Sequence, residues 1–147
     1  MRKQDPDCDW AKISFRVFGE RLNPEELTAA TGITPDFHAK IGERPDIGSG
    51  ESYRESLPPA KRGHWHLVSK AMAASTNLDD QAEEILQRLE GHQAYFAALA
   101  KVHNIDFFVG WSGDRRGATG PPLSPNLLEK MKAFGAKIDF DVYDRND

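Results

Sequence analysis

The stretch ISFRVFGERLNPEELTAATG, residues 13–32, contains a strand pattern followed by a helix with a signal at each end. In residues 13–19, large apolar side chains alternate with other residues at the period of a half-buried strand. Asn23 is a typical N-cap, Pro24 suits the first helical position, and Gly32 can adopt the left-handed conformation that ends a helix. The stretch therefore predicts a strand over residues 13–19 and a helix over Pro24–Thr31.

The same order of elements returns near the end of the chain. IDFFVGW, residues 105–111, repeats the I-x-F-x-V pattern of residues 13–17. A loop and the helix pattern SPNLLEKMKAFG, residues 124–135, follow it, and KIDFDVY, residues 137–143, is predicted to be the last strand. We interpret the repetition as two βαβ-like halves of one sheet, with the helices packed mainly on one face.

Between these halves the sequence predicts two more strands and a broken helix. HWHLVS, residues 64–69, and a short segment at residues 37–41 are the strand candidates, and residues 42–63 are predicted to form a long surface loop. Helical periodicity starts near Asn77, and its apolar stripe shifts after Gly91, which predicts a break at Gly91–His92 and an end at Asn104. The expected fold is a single α+β domain over residues 10–144 with a mixed or antiparallel sheet of about five strands.

The composition and charge exclude several classes of protein. The 147 residues are 39% hydrophobic and 29% charged, as in soluble globular domains. Nineteen basic and twenty-three acidic residues give a net charge of −4, which argues against general binding to nucleic acid or anionic membranes. Residues 1–9 are expected to form a flexible polar leader without a secretion signal, and residues 145–147 a short tail. We therefore expect a cytoplasmic protein.

The order of several motifs resembles one bacterial family. They are SFRVFGERLNPEELTAATGITP near the start, GERP at residues 42–45, the tryptophan strand after Arg-Gly, ILQRLEGH, and LSPNLLEKMKAFGAKIDFDVY at the end. Together they are similar to the domain-of-unknown-function family DUF4279 over about residues 10–143. The resemblance implies a compact intracellular α+β domain and carries over no reaction and no catalytic residue.

The two histidines in RGHWHLV support two alternative hypotheses. His64 and His66 lie two residues apart in a predicted strand, so both imidazoles point to one face and could bind one metal ion. The same stretch loosely resembles the aromatic strand pattern of single-stranded RNA-binding sheets, although Trp65 occupies the position that requires a small residue. The simpler interpretation is a buried Trp65 between two surface histidines.

No catalytic constellation is present in the sequence. Arg115 and Arg116 lie in a Gly-rich loop between a predicted strand and helix, where anions are often bound, but the loop matches no phosphate-binding motif. Cys8 has no neighbouring base, and no nucleophile motif occurs. A small metal-dependent or anion-binding enzyme that uses His64, His66 and this loop stays as the alternative function.

The strongest functional signal is a group of residues that period-two alternation places on one sheet face. If the helices cover only the other face, aromatic and histidine side chains form an exposed surface typical of binding interfaces. The bent helix or residues 42–63 could instead cover it. We expect a non-enzymatic protein-binding module, an adaptor or inhibitor without a cofactor, whose partner is another protein or a second copy. The candidate face consists of Arg16, Phe18, His64, His66, Phe108, Asp139, Asp141 and Tyr143.

Overall fold

Five strands and four helices make up the described part of the chain in the computed structural model, which covers residues 8–44, 58–70, 76–114 and 123–146. None of these helices is long and apolar enough to cross a membrane. The strands are β1 (Cys8–Gly19), β2 (Phe37–Ala39), β3 (Gly63–Val68), β4 (Asn104–Gly113) and β5 (Lys137–Asp144). The helices are α1 (Pro24–Thr31), α2 (Leu78–Leu89), α3 (Gln93–Leu99) and α4 (Pro125–Lys132). The predicted α+β fold with one five-stranded mixed sheet is confirmed.

The strand order in the sheet is β2-β3-β1-β4-β5. β1 is antiparallel to β3 and to β4, whereas β5 is parallel to β4. β2 is antiparallel to β3, so it runs parallel to β1 with β3 between them. β1, α1 and β2 therefore form a βαβ unit split by one strand, and β4, α4 and β5 form an adjacent one. Both halves contain the predicted βαβ arrangement and differ by the inserted strand.

Local signals fix α1 at both ends, as the sequence predicted. The Asn23 side chain accepts a hydrogen bond of 3.1 Å from the backbone N–H of Glu25. Gly32 has a φ of 71° and donates its N–H to the carbonyl of Thr28 at 2.8 Å. A side-chain acceptor at the start and a left-handed glycine at the end satisfy backbone groups that the helix leaves unpaired.

The predicted break after α2 is confirmed, but the predicted end of the second helical segment is wrong. Gly91 has a φ of 89°, and α3 starts at Gln93 in a new direction. Asn104, expected to end this segment, is the first residue of β4. α3 ends earlier because the N–H groups of Lys101 and Val102 bond to carbonyls three residues back and turn the chain toward β4.

The helices bury the apolar stripe of the sheet in a core rich in aromatic rings. Phe15 lies at its centre, with ring centroids 5.0 Å from those of both Phe96 and Phe107. Trp65 is fully buried and donates its Nε1–H to Thr28 Oγ1 at 3.1 Å. The prediction that Trp65 and Leu67 face the core is confirmed.

β1 is longer than its sequence pattern predicted. It starts at Cys8, which is buried and pairs with Gly113 because β4 continues far enough to provide a partner. Asp9 forms an ion pair of 3.1 Å with Arg145, a residue assigned to the tail. Cys8 and Asp9 of the predicted leader thus belong to β1, and residues 1–7, like residues 45–57 of the predicted loop at 42–63, lie outside the described residues.

Candidate binding face of the sheet

All eight candidate residues lie on the sheet face opposite the core, here called the open face. The register pairs Arg16 with His66, Phe18 with His64, and Phe108 with Asp139, and directly opposed side chains point to the same side. Asp141 and Tyr143 follow on the same side of β5 at the period of two. The bent helix, one of two segments considered as a cover, packs on the core face instead. The other, residues 42–63, is described only in part.

A partly buried ion pair lies at the centre of the open face. Arg16 donates from Nε to Asp106 Oδ1 at 2.8 Å and from Nη2 to Asp106 Oδ2 at 2.5 Å. These hydrogen bonds raise the pKa of Arg16, so its charge is permanent. Burial raises the pKa of the Asp106 carboxyl, the bonds from Arg16 oppose that rise, and the nearby Asp139 adds to it. The bidentate geometry fixes the guanidinium in one orientation.

Two guanidinium groups hold the phenylalanine rings of this face. The Arg16 guanidinium carbon is 4.3 Å from the Phe108 ring centroid and 5.6 Å from that of Phe18. Arg62 approaches Phe18 more closely, at 3.9 Å. Cation–π contacts of this kind orient both partners. Phe18 and Phe108 are therefore fixed in position before any partner arrives.

The two histidines form a close pair on β3 and carry no charge near neutral pH. Their ring centroids are 4.9 Å apart, and Phe37 of β2 packs edge-on against His66 at 6.3 Å. Burial is the main cause that lowers the pKa of His66 to about 3, with further lowering by the charges of His64 and Arg16. Burial also lowers the pKa of His64. Neutral imidazoles offer hydrogen bonds and ring surface but no attraction for anions.

An exposed aromatic pair lies at the other end of the open face. Trp10 is 44% exposed and Tyr143 52% exposed, with ring centroids 5.9 Å apart. The Trp10 ring passes over Gly110 so closely that an added Cβ there would come within 2.9 Å of it. Tyr143 donates its hydroxyl to Asp141 Oδ2 at 2.7 Å, which raises the pKa of Tyr143. The pair is a platform of ring surface beside a carboxylate.

Only some residues of the alternative enzyme hypothesis lie in the described part of the chain. His64 and His66 do share one face, but within the described ranges no group of three or more His, Cys, Asp or Glu residues could hold a metal ion. Arg115 and Arg116 lie outside the described residues. Cys8, the single cysteine of the chain, is buried at the start of β1.

Comparison with known proteins identifies the family. A family model described as a domain of unknown function, DUF4279, matches residues 9–145, nearly the whole chain. The chain belongs to the DUF4279 family. Neither the search of curated proteins nor that of solved structures found a significant match.

Several residues of the DUF4279 open face were missed by reasoning from the sequence. Asp106 lies two residues before Phe108 in β4, so the alternation of side chains alone could have placed it on the open face. Trp10 escaped notice because β1 was predicted to start after it. Arg62 and Phe37 carry no pattern signal, since their contacts depend on the pairing of β3 with its two neighbours.

The open face combines an ion pair, neutral histidines and aromatic rings. Its central charges neutralise each other, its histidines are neutral, and its rings are fixed by neighbouring side chains. Such rigid aromatic surface loses little side-chain entropy when a partner covers it.

Proposed function

We propose that this protein is a non-enzymatic protein-binding module, an adaptor or an inhibitor, that holds its partner on the open face. The observation that carries this proposal is that, among the described residues, the helices occupy the core face of the sheet and aromatic side chains occupy the other face. The partner is another protein or a second copy of the chain. As part of the same proposal, the site of action is the bacterial cytoplasm, where a lone thiol such as Cys8 stays reduced.

The residue types support protein binding over the alternatives. Aromatic residues and arginine are enriched at the centres of protein interfaces, and Trp, Tyr and Arg contribute most of the measured binding energy. The open face contains all three types, in Trp10, Tyr143 and Arg62. A single-stranded RNA platform gains less support, because the neutral histidines and the aspartates of β5 add no attraction for phosphates.

Partner capture followed by titration tests this proposal. Immobilised wild-type protein and a Trp10→Ser/Tyr143→Ser variant are exposed to lysate, and captured proteins are then purified and titrated by calorimetry. We expect a direct partner whose affinity falls about tenfold or more in the double variant, because two exposed rings are lost from the interface. Val102→Ser is the matched control, since Val102 is 75% exposed and precedes the opposite end of β4.

Two results would contradict the proposal. A purified partner that binds the double variant as tightly as wild type would place docking elsewhere. Zinc or manganese at one ion per chain in purified protein, lost together with an activity in a His64→Ala/His66→Ala variant, would favour the enzyme alternative.

A further inference from the structure

β5 is a long strand at the edge of the sheet. In the part of the chain that the structure describes, it pairs only with β4, so the backbone groups on its other side face no strand. β5 has 8 residues, whereas β2 at the opposite edge has 3. A long edge strand can accept an extended segment of another chain through main-chain hydrogen bonds.

The two faces of β5 have different chemistry. Asp139 and Asp141 point to the open face, where the only basic residue of the strand is Lys137 at its start. Ile138, Phe140 and Val142 point to the core face, where Ile138 and Val142 pack against the core and Phe140 between them is 50% exposed. A strand added at this edge would place alternate residues beside the carboxylates and the others beside Phe140.

The same charges act against a second copy of the chain. Antiparallel pairing of two copies that keeps their faces aligned and is centred on Phe140 would place Asp139 of one copy against Asp141 of the other. Centring on Asp141 would place that aspartate against its own copy, and centring on Asp139 would do the same while setting Lys137 against Asp141 over a shorter overlap of the strands. Like charges directly opposite each other destabilise a strand pair, and natural edge strands use charges to prevent self-pairing.

We infer that the partner supplies an extended segment with alternating basic and apolar side chains, which adds to the outer edge of β5. The basic residues lie beside Asp139 and Asp141, and the apolar ones cover Phe140. This inference rests on the proposed function and specifies the chemistry of the partner. Electrostatic complementarity selects the partner, and the backbone bonds and the buried Phe140 ring hold it.

The end of β5 adds a second point of recognition for a basic side chain. The rings of Trp10 and Tyr143 lie beside the Asp141 carboxylate, which already accepts the Tyr143 hydroxyl. A guanidinium group stacked on these rings forms a cation–π contact with them and, at the same time, a charge-assisted hydrogen bond with the Asp141 carboxylate. An arginine in the segment therefore fits this end better than a lysine, whose ammonium cannot stack as a plane.

A peptide of the length of β5, in which arginine and valine alternate, is the probe for this inference. Its fluorescent form is titrated with the full chain, and binding is followed by anisotropy and by NMR shifts of the β5 amides. We expect saturable binding that weakens about tenfold in an Asp139→Asn/Asp141→Asn variant, because both opposing charges are lost. Glu83→Gln/Glu90→Gln, the same charge change at exposed positions on the helical side, should leave the affinity unchanged.

Further peptides separate strand addition from general attraction of charge. A peptide with glutamate in place of arginine should fail to bind, and one with proline in place of valine should bind at least about tenfold more weakly, because proline removes backbone donors. Equal binding of the proline peptide, unchanged binding to the aspartate variant, or a wild-type dimer paired through β5 would overturn the inference. If the peptide fails to bind while a captured partner still depends on Trp10 and Tyr143, the inference fails and the proposed function stands. If the captured partner does not depend on Trp10 and Tyr143 either, the inference and the proposed function both fail.

Discussion

Trp65 joins the sheet to α1 through its ring and through its indole N–H. The alternation in HWHLV indicated its burial from size alone, whereas the bond to Thr28 depends on where α1 packs. We expect Trp65→Ala to lower the free energy of unfolding by about 3–5 kcal/mol in urea titration, because a large core side chain is lost. Trp65→Phe, which keeps ring packing but loses the hydrogen bond, should cost less. A cost for His64→Ala above that of Trp65→Ala would contradict this assignment.

Gly32 and Gly135 both have positive φ angles, at 71° and 72°, as their positions after helices predicted. An added Cβ at Gly135 would come within 3.1 Å of the Ala97 Cα. At Gly32, an added Cβ would have no atom of the described structure within 4 Å. Gly32→Ala should therefore lower the free energy of unfolding by about 1 kcal/mol, because alanine disfavours a positive φ. Gly135→Ala should lower it distinctly more, because its Cβ also clashes with Ala97. Thermal denaturation of both variants measures the difference, and equal costs would show that α3 moves aside without loss.

His66 makes stability depend on pH in acid. Its pKa is lowered in the folded protein from its ordinary 6.5 to about 3, so the unfolded chain binds its proton more tightly. Its contribution is complete above about pH 6.5 and is lost as the pH falls toward 3. Between pH 7 and pH 4, wild type should lose on the order of 3 kcal/mol more of its free energy of unfolding than His66→Gln. Parallel losses in urea titrations of the two proteins would show that His66 is protonated when folded.

At the scale of elements, the side chain of Gln81 in α2 bonds to backbone groups of β1 that have no partner in β3. β3 reaches only to Ser14, and beyond it the fully buried Gln81 accepts from Ile13 N–H and donates to the Ala11 carbonyl, both at 2.9 Å. Gln81→Leu should cost about 2–4 kcal/mol in urea titration, because a buried donor and acceptor of the backbone are left unpaired. Gln87→Leu, at an exposed position of the same helix, should change stability by under about 0.5 kcal/mol.

The elements that the sequence predicted best are those marked by local chemistry. α1 begins and ends where Asn23 and Gly32 indicated, and Gly91 breaks the long helical segment. Signals that depend on tertiary partners were invisible. Ser124 occupies the N-cap position of α4, yet its hydroxyl and its N–H both donate to Asp79 of α2, so that it ties two helices together.

At the scale of the molecule, protection from hydrogen exchange should fall from the centre of the sheet to its edges. β1 has strands on both sides, and Phe15 and Val17 lie in its fully buried part. Their amides should exchange only through global unfolding, whereas β2 and alternate amides of β5 should exchange through local opening. NMR exchange rates test this order. Equal protection of β5 and β1 would show that another segment or copy covers the β5 edge.

The sequence predicted which face of the sheet the eight candidate residues share, whereas it missed other members such as Trp10 and Arg62 and all the contacts between them. Period-two alternation gives the parity of each strand, but which side the helices cover depends on the connections between strands. Phe140 illustrates the difference, since the sequence placed it correctly on the core face and its ring is still half exposed. The match of Arg16 with Asp106 required knowledge of how β1 and β4 align.

That match has a consequence for how the chain avoids misfolding. If β4 slid along β1 by two residues, every side chain would keep its face and the apolar pattern would still be satisfied. Arg16 would then meet Phe108 or Asn104, and Asp106 would become a buried carboxylate without a counter-charge. A stranded charge of this kind is strongly unfavourable. The salt bridge therefore stabilises the native register of β1 and β4 over shifted registers that the hydrophobic core alone would accept.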